Sequence, residues 1–97
     1  MTRFILIFYT SYDEADDTIM IQQVHASSEY NAQAFIIDTF SIGEDLILAT
    51  IEAPVIWEHH MFIVELDNRT YELTQNFELI FVTQSQIDNA TRMVVYL

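Results

Sequence analysis

Residues 4–25 read FILIFYTSYDEADDTIMIQQVH, two apolar segments on either side of an acidic tip, and the reading of this stretch decides the fold. Residues 4–9 and 18–24 are rich in Ile, Phe, Tyr and Val, side chains that fit a pleated surface. Between them Asp13, Glu14, Asp16 and Asp17 fall within five consecutive positions. The pattern predicts a β-hairpin closed by a long acidic loop, with the rest of the chain supplying more sheet and a helix to cover it.

Working outward, 25–29 (HASSE) reads as a strand end passing into a helix. Ser27 or Ser28 can accept a hydrogen bond from a free backbone N–H, and Glu29 suits the first turn. Over 28–40 a helical wheel gathers Tyr30, Ala34, Ile36, Ile37 and Phe40 on one side and Ser28, Asn31, Asp38 and Thr39 on the other. Phe35 lands amid the polar face. Either the helix is covered on both sides or the phase of the wheel is slightly off, or Phe35 is an exposed anchor for a partner, a role large aromatics often fill. Gly43, the only glycine, is placed to end the segment.

Residues 45–52 (DLILATIE) read as a third strand, and Ala53-Pro54 breaks the pattern because proline cannot donate to a ladder. Residues 60–66 and 71–82 then read as a hairpin. In its second arm Tyr71, Leu73, Phe77, Leu79 and Phe81 share one parity and make a core face, while Glu72, Thr74, Asn76 and Glu78 share the other. The turn falls at Asp67-Asn68-Arg69. With Asn68-Arg69 as a two-residue loop, Glu65 lies directly across from Glu72, a like-charge pair that a sheet tolerates at a cost. Residues 84–91 read as a loop or a single helical turn. Residues 92–97 (RMVVYL) read as a last strand, expected inside the sheet or paired with a second copy because exposed apolar edges invite aggregation. The expected fold is α+β, a single domain over 1–97 with a mostly antiparallel sheet of five or six strands and one covering helix.

The composition narrows the function. Ninety-seven residues bury one modest core, and a hydrophobic share of 52% argues against disorder. Fifteen acids face three basic residues, Arg3, Arg69 and Arg92, for a net charge of −12 with no lysine. Such a surface attracts basic partners and repels nucleic acid, so direct binding to DNA or RNA, which rests on Lys and Arg against phosphates, is not expected. The absence of cysteine removes disulfides and thiolate metal sites and fits a reducing compartment. The opening MTRFILIFYT is too short for a signal-peptide core, and no run has the length of a membrane span. A cytoplasmic protein is expected, in the host cell if it is phage-encoded.

Nothing in the chain assembles a catalytic motif. A single glycine excludes phosphate-cradling glycine loops, and no serine sits in a nucleophile elbow beside His25, His59 or His60. Glu58-His59-His60 is not a zinc pattern, since neighbours on a strand point to opposite faces and zinc histidines are spaced by three or more. The loop at 13–17 lacks the alternating ligands and central glycine of a calcium loop. No enzyme activity, cofactor or metal site is therefore expected.

The stretch TSYDEADDTIM, Thr10 to Met20, resembles the central strand-loop-strand of the phage uracil-DNA glycosylase inhibitor family, whose members are acidic β-sheet mimics of DNA. That family's glycosylase-contacting edge strand, with its Gln-Glu-Ser start and acidic helix, has no counterpart here, so no binding residues carry over. In size, charge and β-β-α-β layout the chain is also similar to phage anti-CRISPR and anti-restriction proteins. DNA carries about one negative charge per 1.7 Å of axis, a density that carboxylates fixed on a sheet can approximate. The expectation is a non-enzymatic inhibitor that occupies the basic, nucleic-acid-binding surface of a host defence or DNA-processing protein. Its contacts would be Asp13, Glu14, Asp16 and Asp17, then Glu65 and Glu72, with Phe35 as an apolar anchor. The alternative is a small homo-oligomeric assembly module such as a homodimer. In that case the charge serves solubility, and Phe35, Trp57 and the 92–97 strand are buried between copies.

Overall fold

The computed structural model describes every residue except Glu14, Asp16 and Asp17, so three of the expected contact residues lie outside the described residues. The chain forms two compact units, Met1–Ala53 and Pro54–Leu97, and carries two separate sheets where the sequence suggests one. The fold is α+β, with three strands in one sheet, four in the other and one main helix.

In the first unit β1 (Thr2–Tyr9) is the central strand, flanked antiparallel by β2 (Ile19–Ala26) and β3 (Ile47–Glu52). Thr2 pairs with Ala26 and the register runs unbroken to Tyr9 opposite Ile19, which is the hairpin read from 4–25. A central strand is buried on both faces and so carries an uninterrupted apolar run. Phe4 through Phe8 are all buried. Phe4, Leu6 and Phe8 form a core with Val24, Ala26, Ala32, Ile36, Ile42 and Leu46, and Phe8 meets Phe40 at 5.0 Å between ring centres. Ile5 and Ile7 alternate to the opposite face and are also fully buried. Opposite Ile7 and Phe8 the β3 register skips a residue, a bulge that bends the edge strand.

Helix α1 (Glu29–Phe40) starts at Ser28, whose hydroxyl accepts from Asn31 N–H at 3.1 Å. Its contact side differs from the wheel. Ala32 and Ile36 are fully buried, whereas Tyr30 is 77% exposed and Ala34 is exposed. Apolarity alone misplaced the axis, because small Ala32 lets the helix approach the sheet while Tyr30 and Ala34 face outward. Gly43 does not stop the helix. Ser41 does, at a left-handed φ of 54° with its N–H on Ile37 O, and the next N–H, of Ile42, returns to the same carbonyl. A short 3-10 turn, Glu44–Leu46, then occupies the start of the expected third strand.

In the second unit β4 (His60–Leu66), β5 (Arg69–Leu73), β6 (Leu79–Phe81) and β7 (Met93–Tyr96) lie in the order β6-β5-β4-β7. The β4–β5 turn is Asp67-Asn68, both at positive φ (48° and 64°), the geometry that two-residue hairpin loops demand. The loop is thus one residue earlier than expected. Glu65 lies opposite Thr70 and Glu72 opposite Ile63, so no like-charge pair is forced. The expected long arm 71–82 is folded in two: Thr74 N–H bonds Glu78 O, Phe77 takes a φ of 59°, and the chain returns as β6. Tyr71 then faces Phe81 and Leu73 faces Leu79, which keeps the shared parity read from the sequence but across two strands. Helix α2 (Gln84–Asp88) begins with a reciprocal cap between Thr83 and Gln86, and its Ile87 joins Met61, Ile63 and Val82 in a small core. Strand β7 pairs parallel to β4 at the sheet edge, not inside it.

Candidate acidic binding surface

The carboxylates are displayed rather than folded inward. Every described Asp and Glu is exposed except Glu72, as the cost of desolvating an unpaired carboxylate requires. In the first unit the described residues next to the acidic tip carry local turns. Asp13 N–H donates to Ser11 Oγ at 3.0 Å and Ala15 N–H donates to Asp13 Oδ1 at 2.9 Å, turns that short polar side chains stabilise. Tyr12 reaches from the loop to the start of the 3-10 turn: its Oη donates to Asp45 Oδ1 at 2.9 Å and accepts Gly43 N–H at 3.1 Å. The hydrogen bond to Asp45, then desolvation and the Asp45 charge, raise the Tyr12 pKa above its ordinary value, against a smaller opposing pull from Gly43 N–H. Asp13, Glu44 and Asp45 are thereby gathered at one end of this unit.

This explains the glycine. Gly43 has an ordinary φ of −88°, but a Cβ there would run into Tyr12 Oη and Asp45 Oδ1. The residue is small because a phenol approaches it, a contact between positions 31 apart. The sequence holds the parts, a lone glycine followed by Glu44-Asp45 and a tyrosine in the acidic loop, but no local signal joins them.

In the second unit Glu65 is exposed on the same sheet face as Glu72. Glu72 is held by Arg92 in a two-pronged pair at 2.8 and 3.3 Å, and its side chain is only 13% accessible. Of the two acids expected as secondary contacts, Glu65 is presented and Glu72 is engaged within the fold. His59 Nε2 lies 3.3 Å from Glu58 Oε1 on the surface, while His60 stacks on Phe62 at 5.8 Å. Trp57, a candidate for burial between copies, donates its indole N–H to Leu73 O at 3.1 Å and packs edge-on to Phe62 and Phe77. It is part of this unit's own aromatic cluster.

Phe35 is 52% exposed and not covered. It walls a groove beside β2, lined also by residues 22–27, Asn31 and Met1. On the opposite side α1 is tied to β3 by Gln33, whose amide donates to Thr50 Oγ1 at 2.9 Å. Among the described residues no group of three His, Asp or Glu side chains is placed to hold a metal ion, and no helix is long and apolar enough to cross a membrane. The architecture defines an α+β protein of two small sheets with an acidic exterior. The chain matches no family model, no curated protein and no solved structure.

Proposed function

We propose that this is a non-enzymatic binding protein that places its carboxylates in the basic, nucleic-acid-binding surface of a host defence or DNA-processing protein, and so inhibits it. The observation that carries the reading is the combination of a −12 charge with acids that, among the described residues, are exposed everywhere except Glu72. Such a surface focuses a negative potential that steers basic partners. The proposed contacts are Asp13, Glu14, Asp16 and Asp17, with Glu44 and Asp45, the last bonded to Tyr12 next to Asp13 in the chain. Glu65 is a secondary contact, and Glu72 acts through its pair with Arg92 more as scaffold than as ligand.

The inhibitor competes with nucleic acid by this reading, and that is its test. Tagged protein is incubated with nuclease-treated host lysate, washed at low salt and then challenged with duplex DNA. Release of a basic nucleic-acid enzyme by the DNA, and by raised salt, supports the proposal. A partner that neither DNA nor salt displaces, or recovery of the protein's own copies alone, overturns it.

A further inference from the structure

We infer that β2 is a self-pairing edge: two copies join antiparallel along β2, about a two-fold axis at Gln22, into one six-stranded sheet. The inference is independent of the acidic-surface reading. Strand β2 is the outer strand of its sheet, eight residues long, and its sequence IMIQQVHA carries none of the lysines, prolines or inward charges that blunt natural edges. Its direction of pairing follows from the ladder. Ala53 N–H bonds Arg3 O, so Arg3 turns its backbone to β3 and Phe4 turns its backbone to β2. Phe4 pairs with Val24. By alternation the N–H and C=O of Ile19, Ile21, Gln23 and His25 then point away from β1. The Gln23 carbonyl is met there by a 3.4 Å contact from the Gln22 side-chain amide.

The groove beside this edge is shaped for a strand. Consecutive residues, 22 through 27, line it together with Asn31, Phe35 and Met1. Neighbours on a strand face opposite sides, so a groove that touches all of them runs along the edge itself, with Phe35 as its far wall. The occupant is argued from charge. Neither β2 nor, among the described residues, the groove lining contains an Asp or Glu in a chain of net charge −12. A basic peptide finds no carboxylate to pair with here. A second copy, as acidic as the first, meets no carboxylate along residues 19–25 of either strand. Antiparallel pairing must oppose outward residues to outward residues. A two-fold axis at Gln22 does so, setting Ile21 against Gln23 and Ile19 against His25. It also brings Met20 of the second copy opposite Val24, on the groove side. The two Gln22 amides meet on the axis, an isologous arrangement of the strand-addition kind.

The test uses the full chain. Wild type is expected to show a monomer–dimer equilibrium by sedimentation at concentrations up to about 100 µM, the range of small interfaces. Gln22→Glu and Gln22→Lys each put like charges face to face at the axis and should weaken the dimer about fivefold. Mixing the two variants should restore it as a heterodimer. Gln23→Pro, which removes an outward N–H and leaves the β1 ladder intact, should also weaken dimerisation. A strictly monomeric wild type overturns the proposal, as does a monomer that takes an unrelated extended peptide at β2. A dimer indifferent to all three substitutions, with circular dichroism confirming that they fold, places the contact elsewhere and also overturns it.

Discussion

Exchanging the conformational roles of residues 41 and 43 tests the local structure behind the acidic end. Ser41 terminates α1 at φ 54°, where a side chain other than glycine costs roughly 1–2 kcal/mol. Ser41→Gly removes that cost and adds back about 0.4–1 kcal/mol through a more flexible unfolded chain. The net is a stabilisation of about 0.5–1 kcal/mol, or a Tm rise of about 4 °C for a domain of this size. Gly43, at φ −88°, is under no backbone demand, so Gly43→Ala by itself should stabilise through the same unfolded-state effect. The structure predicts the reverse sign, because the added methyl displaces Tyr12 Oη and ends both of its hydrogen bonds. With the oxygen removed by Tyr12→Phe, the same Gly43→Ala change should become stabilising, since the exposed Asp45 side chain is then free to rotate away. Thermal unfolding followed by circular dichroism on the single and double variants reads all of these signs. The reasoning is refuted if Ser41→Gly destabilises, or if Gly43→Ala has the same sign with and without the Tyr12 hydroxyl.

Three further outcomes follow from the same geometry. The Tyr12 pKa is raised above its unfolded value near 10, so its contribution to stability is complete below that pH and is lost as pH rises through the higher folded-state value. The stability gap between wild type and Tyr12→Phe should accordingly close in alkaline solution, measured by urea unfolding across that range. Arg92→Gln breaks the two-pronged contact to a largely covered Glu72 and should cost about 1 kcal/mol, discounted for the exposed guanidinium. The loss should shrink in high salt, and Glu72→Gln in the same background should restore part of it. Ile36→Ala empties a fully buried position in the helix–sheet core and should cost about 3 kcal/mol in denaturant titration.

In the first unit the hairpin and the helix start were readable because their signals are local, whereas the helix's contact side, its stop at Ser41 and the 3-10 turn at 44–46 were not. The apolar segments at 4–9 and 18–24 mark a hairpin, and Ser27 or Ser28 followed by Glu29 marks a helix start; that β1 is central and that Ser28 is the cap came only with the structure. What failed was long-range or depended on one residue. Ala53-Pro54 is visible as a break, yet nothing in its chemistry says that the strands beyond it build a second sheet. Asp67-Asn68 and Asn68-Arg69 are both acceptable turns by composition. Only the requirement for two successive positive φ values favours the first, and that choice moves Glu65 from Glu72 to Thr70. Phe77 at φ 59° folds the expected long strand in two, in a conformation that its residue type does not advertise. The acidic loop was evident from residue types alone. Its link to Asp45 was not, because it depends on a tyrosine hydroxyl meeting a glycine N–H that lies far along the chain. The partial withdrawal of Glu72 likewise depends on Arg92, which is 20 residues away.

The most direct test of the central claim compares wild type with a variant carrying Asp13→Asn, Glu14→Gln, Asp16→Asn and Asp17→Asn, captured side by side from the same nuclease-treated lysate. The account predicts that a basic nucleic-acid-binding protein retained by wild type at low salt is absent from the variant, while circular dichroism shows the fold unchanged. Equal recovery of that protein by the two would contradict it.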